Sequence, residues 1–190
     1  MMAENTNYLQ RAREFRAKKK LGQNFLVDAN AINTIVNEAA LSKDDVVVEI
    51  GAGLGFVTEQ LAQRAKRVIA IEIDFDAIAK LIALPYNNID IIGKDILKID
   101  FSSLTDKPVK IVANIPYYIT SPIIAHLLGE IEQVQYKNRE LISEVLLMVQ
   151  YEVAKRIVAT EKSHSKDYGL LSILVNYWSE AELIAKVPAR

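Results

Sequence analysis

Three glycines at alternate positions, Gly51, Gly53 and Gly55, constrain this 190-residue chain more than any other feature. Before them run Val46-Val47-Val48-Glu49-Ile50, apolar β-formers carrying one acid. After them, Phe56 to Ala65 is apolar at helical spacing. The order predicted is strand, tight turn, helix, because glycine reaches positive φ freely and lets a ligand approach bare backbone. Spacing separates the ligands. Dinucleotide folds use G-x-G-x-x-G, with the last glycine inside the helix for packing on the strand. Here the third glycine comes one place early, and a strand carboxylate stands two residues before the first.

That E-x-G-x-G-x-G form looks like the S-adenosylmethionine loop of Rossmann-like methyltransferases. Nucleotide binding and a simple tight turn stay open beside it. With 51% hydrophobic residues, the chain suffices for one α/β domain around a buried sheet. A net charge of −1 gives no global attraction to nucleic acid, so any such surface is local. The absence of cysteine excludes disulfides and thiolate metal sites. With neither a membrane-length apolar run nor a signal-peptide core, the expectation is a cytoplasmic protein without membrane association.

Residues 1–20 read as a basic N-terminal arm, with Arg11, Arg13, Arg16, Lys18, Lys19 and Lys20 in its second half. Such a run is either solvated or a phosphate contact. Residues 21–190 read as the catalytic domain. Asp28 suits the N-cap of a helix over 29–40, and Gln23 and Asn24 suit a loop closing over a ligand. A second strand over 68–73 carries Glu72, about twenty residues past the first glycine. There an α/β nucleotide fold sets an acid against a ribose diol. A helix over 75–84 precedes a third strand, 89–92, with Asp95 just past its end, placed to meet an adenine amine or simply to cap a turn. Further strands are predicted over 110–113, 145–150 and 181–187. Helices are predicted over 122–128, capped by Thr120 or Ser121, over 151–159 and from 170 towards Trp178, with 131–141 a polar connection. His126 reads as a packing or surface residue rather than a base.

The fourth strand runs into Asn114-Ile115-Pro116-Tyr117-Tyr118. An exocyclic adenine amine is a poor nucleophile, because its lone pair is delocalised into the ring. An enzyme that alkylates it must accept hydrogen bonds from its N–H groups. Asn114 offers a side-chain carbonyl. Pro116 has no N–H and fixes the local backbone, letting carbonyls face a ligand. Tyr117 offers a ring for a flipped base, with stacking worth roughly 1–3 kcal/mol.

In order, these stretches resemble the small-subunit (16S) rRNA adenine N6,N6-dimethyltransferases, the kasugamycin-sensitivity family. The resemblance is carried by Leu21-Gly22-Gln23-Asn24-Phe25-Leu26, Glu49 to Gly55, Ile71-Glu72-Ile73-Asp74, Asp95-Ile96-Leu97, Asn114 to Pro122, Gln150 to Arg156 and Tyr168 to Ser172. It implies dimethylation of two adjacent adenines near the 3′ end of small-subunit rRNA, in a pre-30S particle, by a monomer using S-adenosylmethionine and no metal. It implies that Asn24, Leu26, Gly51, Gly53, Glu72, Asp95 and Asn114 hold the cofactor, and that Asn114, Pro116 and Tyr117 hold the target base. Ala52 stands where the family usually has proline. The family also continues beyond this chain with a seventh strand and a small helical domain, so weak or no activity on ribosomal substrate is expected. The alternatives are a macrolide-resistance methyltransferase of large-subunit rRNA and a non-catalytic ribosome-assembly or RNA-binding factor on the same fold.

Overall fold

β1 (Val46–Ile50) forms the middle of a five-stranded parallel sheet of order β3-β2-β1-β4-β5. The structure, a computed structural model, describes residues 2–187, without the side chains of 2–6, Lys19 and Tyr117. The flanking strands are β2 (Arg67–Ile71), β3 (Ile89–Ile92), β4 (Val109–Asn114) and β5 (Ile142–Met148). Every residue of β1 is buried, as expected of a strand covered on both faces by helices.

On one face, Val47, Val68 and Val112 pack against α2 (Ala29–Glu38) and α3 (Phe56–Ala62). On the other, Val48, Ile50, Ile69 and Ile111 meet Ile123 and Leu127 of α5 (Thr120–Leu128). α4 (Phe75–Ile82) contributes Leu81 beside Ala52 and Ala70. α6 (Lys137–Leu141), α7 (Tyr151–Val158) and α8 (Leu170–Trp178) complete the β5 side, with Val175 of α8 against Ile124 and Leu128. The chain builds β1, β2 and β3 outward on one side, then returns to lay β4 and β5 on the other. The reversal between β1 and β4 opens a crevice at their carboxyl ends, where ligands of such sheets bind. The architecture is Rossmann-like.

Four expectations change. Residues 181–187 form no strand: they lie exposed and unladdered beyond β5, with Leu183 and Ile184 nearly half exposed. Alternating apolar residues permit a strand, but only a hydrogen-bonded neighbour makes one. Neither Thr120 nor Ser121 caps α5. Both lie inside it, Ile119 holds the cap position, and the Thr120 hydroxyl turns back to the Pro116 carbonyl. The stretch 131–141, expected as a connection, holds the short α6.

The basic N-terminal segment is not a free arm. Residues of α1 (Met2–Arg13) dock on the start of α3: Tyr8 is buried, with its ring 4.8 Å from that of Phe56. Arg11 donates to Glu59 at 2.7 Å and to the Leu54 carbonyl at 3.2 Å while lying over the Phe56 ring. Arg13, Arg16 and Lys20 stay exposed.

Candidate active site

The crevice is a cavity of about 270 Å³. Its wall brings together Asn24 and Leu26 from the loop before α2, Gly51 and Gly53 after β1, Glu72 after β2, Asp95 after β3, and Asn114 and Pro116 at the end of β4. Those are all the predicted site residues except Tyr117, whose side chain is outside the described residues. A larger, mostly apolar cavity of about 610 Å³ lies between β5, α8 and residues 181–187 and is lined by none of these groups.

The glycine loop shows which ligand it suits. Gly51, Gly53 and Gly55 all have positive φ, 75°, 55° and 81°. Phosphate-binding loops present free N–H groups to their ligand. Here Gly51 and Ala52 N–H donate to the Ile71 carbonyl, Gly55 N–H to the Ala52 carbonyl, and Gly53 N–H to Glu72 Oε2 at 2.7 Å. The carboxylates Glu72 and Asp95 share the wall with one lysine, Lys94, and the buried acid Glu49 is a third acidic group there. Such a wall repels a pyrophosphate and favours a ligand that carries positive charge.

Glu72 is buried, and both its oxygens work on backbone: Oε2 takes Gly53 N–H, while Oε1 takes Ile73 and Asp74 N–H at 2.8 and 2.9 Å. The carboxylate thus ties the glycine loop to the end of β2, with about one of its four lone pairs left for a ligand hydroxyl. Asp95 accepts from Leu97 N–H at 3.1 Å through Oδ1, capping a short turn, and its Oδ2 accepts no hydrogen bond among the described residues. Both possibilities read for it in the sequence, cap and ligand contact, are compatible with this geometry.

Glu49 is the residue sequence reasoning missed as a site, although it was visible in the motif. It is 4% exposed, and its Oε2 has no hydrogen-bond partner. Burial pushes its pKa up to about 8; the Thr58 hydroxyl opposes this and the Glu72 charge adds to it.

Asn114 is half-buried, and its Nδ2 reaches the Asn24 carbonyl at 3.4 Å. Its Oδ1 accepts no hydrogen bond among the described residues and is left for the cavity. Pro116 differs from its expected role: its carbonyl already receives Ile119 N–H at 3.2 Å and the Thr120 hydroxyl at 3.3 Å. As arranged here, that carbonyl is not a free acceptor. His126 also matches its structural reading, with Nε2 2.8 Å from the Ile99 carbonyl.

The loop over the cavity is tied down from both ends. Gly22 (φ 59°) has no room for a side chain, since a Cβ would come within 2.8 Å of the Tyr118 ring. The Phe25 ring covers Gly53, where a Cβ would approach it to 3.2 Å, and Phe15 meets Phe25 edge-on at 5.4 Å. Lys18 pairs with Asp74 and Asp76, while Gln23 donates to Asp74 at 2.6 Å. Burial of Asp74 works against its ionisation. Hydrogen bonds from Lys18, Gln23 and Asp76 N–H outweigh this and hold its carboxyl below the usual range. The same pairs, led by Asp74, raise Lys18. No local sequence signal gives this latch, because its partners are about fifty residues apart.

The model of a family described as "Ribosomal RNA adenine dimethylase" matches residues 14–190. A "Ribosomal RNA small subunit methyltransferase A" of Clostridium botulinum (strain Loch Maree / Type A3) is 44% identical over 187 residues, 96% of this chain and 64% of the relative. One of the same description from Alkaliphilus metalliredigens is 41% identical over 92% of this chain and 60% of its own. The chain therefore spans less than two thirds of these relatives. Among solved structures, a dimethyladenosine transferase from Plasmodium falciparum matches with TM-score 0.65 and 31% identity, over 78% of this chain and 50% of that one. The 23S rRNA methyltransferase ErmE matches at 0.59 and 31%, over 71% and 51%.

Proposed function

This chain belongs to the ribosomal RNA adenine dimethylase family, and from that premise we propose that it dimethylates the exocyclic amines of two adjacent adenines in small-subunit rRNA, using S-adenosylmethionine. The observation that carries this reading is the glycine loop: the N–H groups of Gly51, Ala52, Gly53 and Gly55 are engaged within the protein, and three acidic side chains line the cavity. That wall fits a donor that is cationic and free of phosphate, and disfavours a dinucleotide. The relatives named as small-subunit methyltransferases support the RNA class.

S-adenosylmethionine bound there would supply a methyl group on a positively charged sulfur. Glu72, with its remaining lone pair, and Asp95, with Oδ2, would hold the ribose and adenine of the donor; Gly51 and Gly53 leave bare backbone for its amino-acid end. Asn24 and Leu26 would close the cavity from above. Asn114 Oδ1 would accept a hydrogen bond from the target amine, directing the nitrogen lone pair at the methyl group. Tyr117 would stack the everted base. With Pro116's carbonyl engaged, its contribution is to stiffen the turn that presents Asn114. Catalysis on this account is positioning plus electrostatic stabilisation.

The test is prolonged incubation of excess protein with immature 30S particles and, separately, with free 23S RNA, followed by mass mapping of N6,N6-dimethyladenosine. The product is expected near the 3′ end of the small-subunit RNA. Product confined to 23S RNA would support the reading kept open by the similarity to ErmE. Failure of Asn114→Ala to abolish transfer would remove Asn114 from the mechanism.

A further inference from the structure

We propose that Glu49 is the buried counter-charge for a cationic group of the methyl donor, and that donor binding near neutral pH therefore expels a proton from this carboxyl. The inference deepens the donor reading above and depends on it. Glu49 is opposite Val112 on β4, and Asn114 is two residues further along that strand. Side chains alternate along a strand, so Glu49 and Asn114 project from the same face of the sheet, Glu49 one step deeper. Its Oε2 is a buried oxygen with no hydrogen-bond partner, in the wall of the cavity.

Buried polar atoms without partners are rare, because each has lost its water without a hydrogen bond in return. The surroundings do not answer this one. β2 offers only Ala70 at the paired position and, two residues on, the like charge of Glu72. α3 offers the Thr58 hydroxyl, whose Oγ1 is itself unpartnered by hydrogen-bond geometry. Asp95 and Lys94 line the same cavity, and no ion pair reaches Glu49 among the described residues. The carboxyl is neutral in the free protein, consistent with a pKa near 8. A neutral or anionic ligand would leave it so. A cation beside it makes the charged form the stable one, and the displaced proton passes to the buffer. S-adenosylmethionine has two such cations, the sulfonium and the α-ammonium.

The experiment is calorimetric titration of the unmodified chain at pH 7 in two buffers of different ionisation enthalpy. S-adenosylmethionine is one probe, and S-adenosylhomocysteine, which keeps the ammonium but lacks the sulfonium, is the other. With a group titrating near 8, about 0.9 proton should be released per donor bound at pH 7, falling to about 0.1 by pH 9. Release with both probes assigns the partner as the ammonium; release with S-adenosylmethionine alone assigns the sulfonium. Glu49→Gln should abolish the release and weaken binding about tenfold to a hundredfold, with circular dichroism confirming its fold. Binding by the unmodified chain without proton release would overturn the proposal even if the variant failed to fold. So would unchanged release from a folded Glu49→Gln. Absence of binding by either probe would instead overturn the donor reading, and this inference with it.

Discussion

Glu72 has a structural duty separate from any ligand, and Glu72→Gln isolates it. The carboxylate accepts three backbone N–H groups from Gly53, Ile73 and Asp74 at 2.7–2.9 Å, in a site that is 7% exposed. Glutamine has one carbonyl oxygen. If that oxygen keeps Ile73 and Asp74, the amide NH₂ faces Gly53 N–H, a donor against a donor. A buried hydrogen bond to a charged group contributes about 1.5–3 kcal/mol, and the two retained bonds weaken once the acceptor is neutral. The expected loss is about 2–4 kcal/mol, with little solvent to screen it. For a chain of this size, each kcal/mol lowers Tm by about 2–4 °C, so a fall of about 5–15 °C is expected. Thermal unfolding followed by circular dichroism, without ligand, reads it directly. A Tm equal to that of the unmodified chain would show that the glycine loop does not lean on Glu72.

Gly55 has φ 81°, and a Cβ there would come within 2.8 Å of Leu84 and 3.1 Å of Leu81; Gly55→Ala should therefore cost at least the 1–2 kcal/mol of left-handed strain, visible as a lower urea midpoint. Glu49 is held in its neutral form by the fold, with its pKa raised from 4.5 to about 8. Its stabilising effect is full below the unfolded value and is lost as pH rises through the folded one. At about 1.4 kcal/mol per pH unit, unfolding stability should fall by about 2–3 kcal/mol between pH 6 and 8, and Glu49→Gln should flatten that slope in urea titrations. For Asp74 the sign is opposite. Its folded pKa is depressed, so the latch to Lys18 persists at pH 5 and is lost only as pH falls below the ordinary carboxylate range. Hydrogen exchange over residues 18–26, corrected for its intrinsic pH dependence, should show equal protection at pH 7 and 5, and reduced protection in Lys18→Ala.

Signals that are local in the chain were legible in the sequence. The bounds of β1 and β3 follow from short apolar runs between turn residues, and Asp28 caps α2 through Asn30 N–H as its position before an apolar-periodic segment implied. The convergence of Gly51, Glu72, Asp95 and Asn114 followed from strand ends alone, since parallel strands present their carboxyl ends on one rim. Features decided by distant partners were not legible. Tyr8 and Arg11 look like part of a solvated basic run until Phe56 and Glu59 are beside them. Residues 181–187 alternate like a strand, but no strand among the described residues pairs with them. Pro116's carbonyl seemed available because the chain gives no sign that α5 starts early enough to bring the Thr120 hydroxyl onto it. Glu49 stood in plain view within the motif, yet only burial shows that one of its oxygens has no partner.

A crystal of this chain soaked with S-adenosylmethionine or its demethylated product tests the central claim most directly. The expected density lies in the crevice at the ends of β1, β2 and β4, adenosine between Glu72 and Asp95 and sulfur turned towards Asn114 Oδ1. Density in the cavity beside β5, or a sulfur facing away from Asn114, would contradict it.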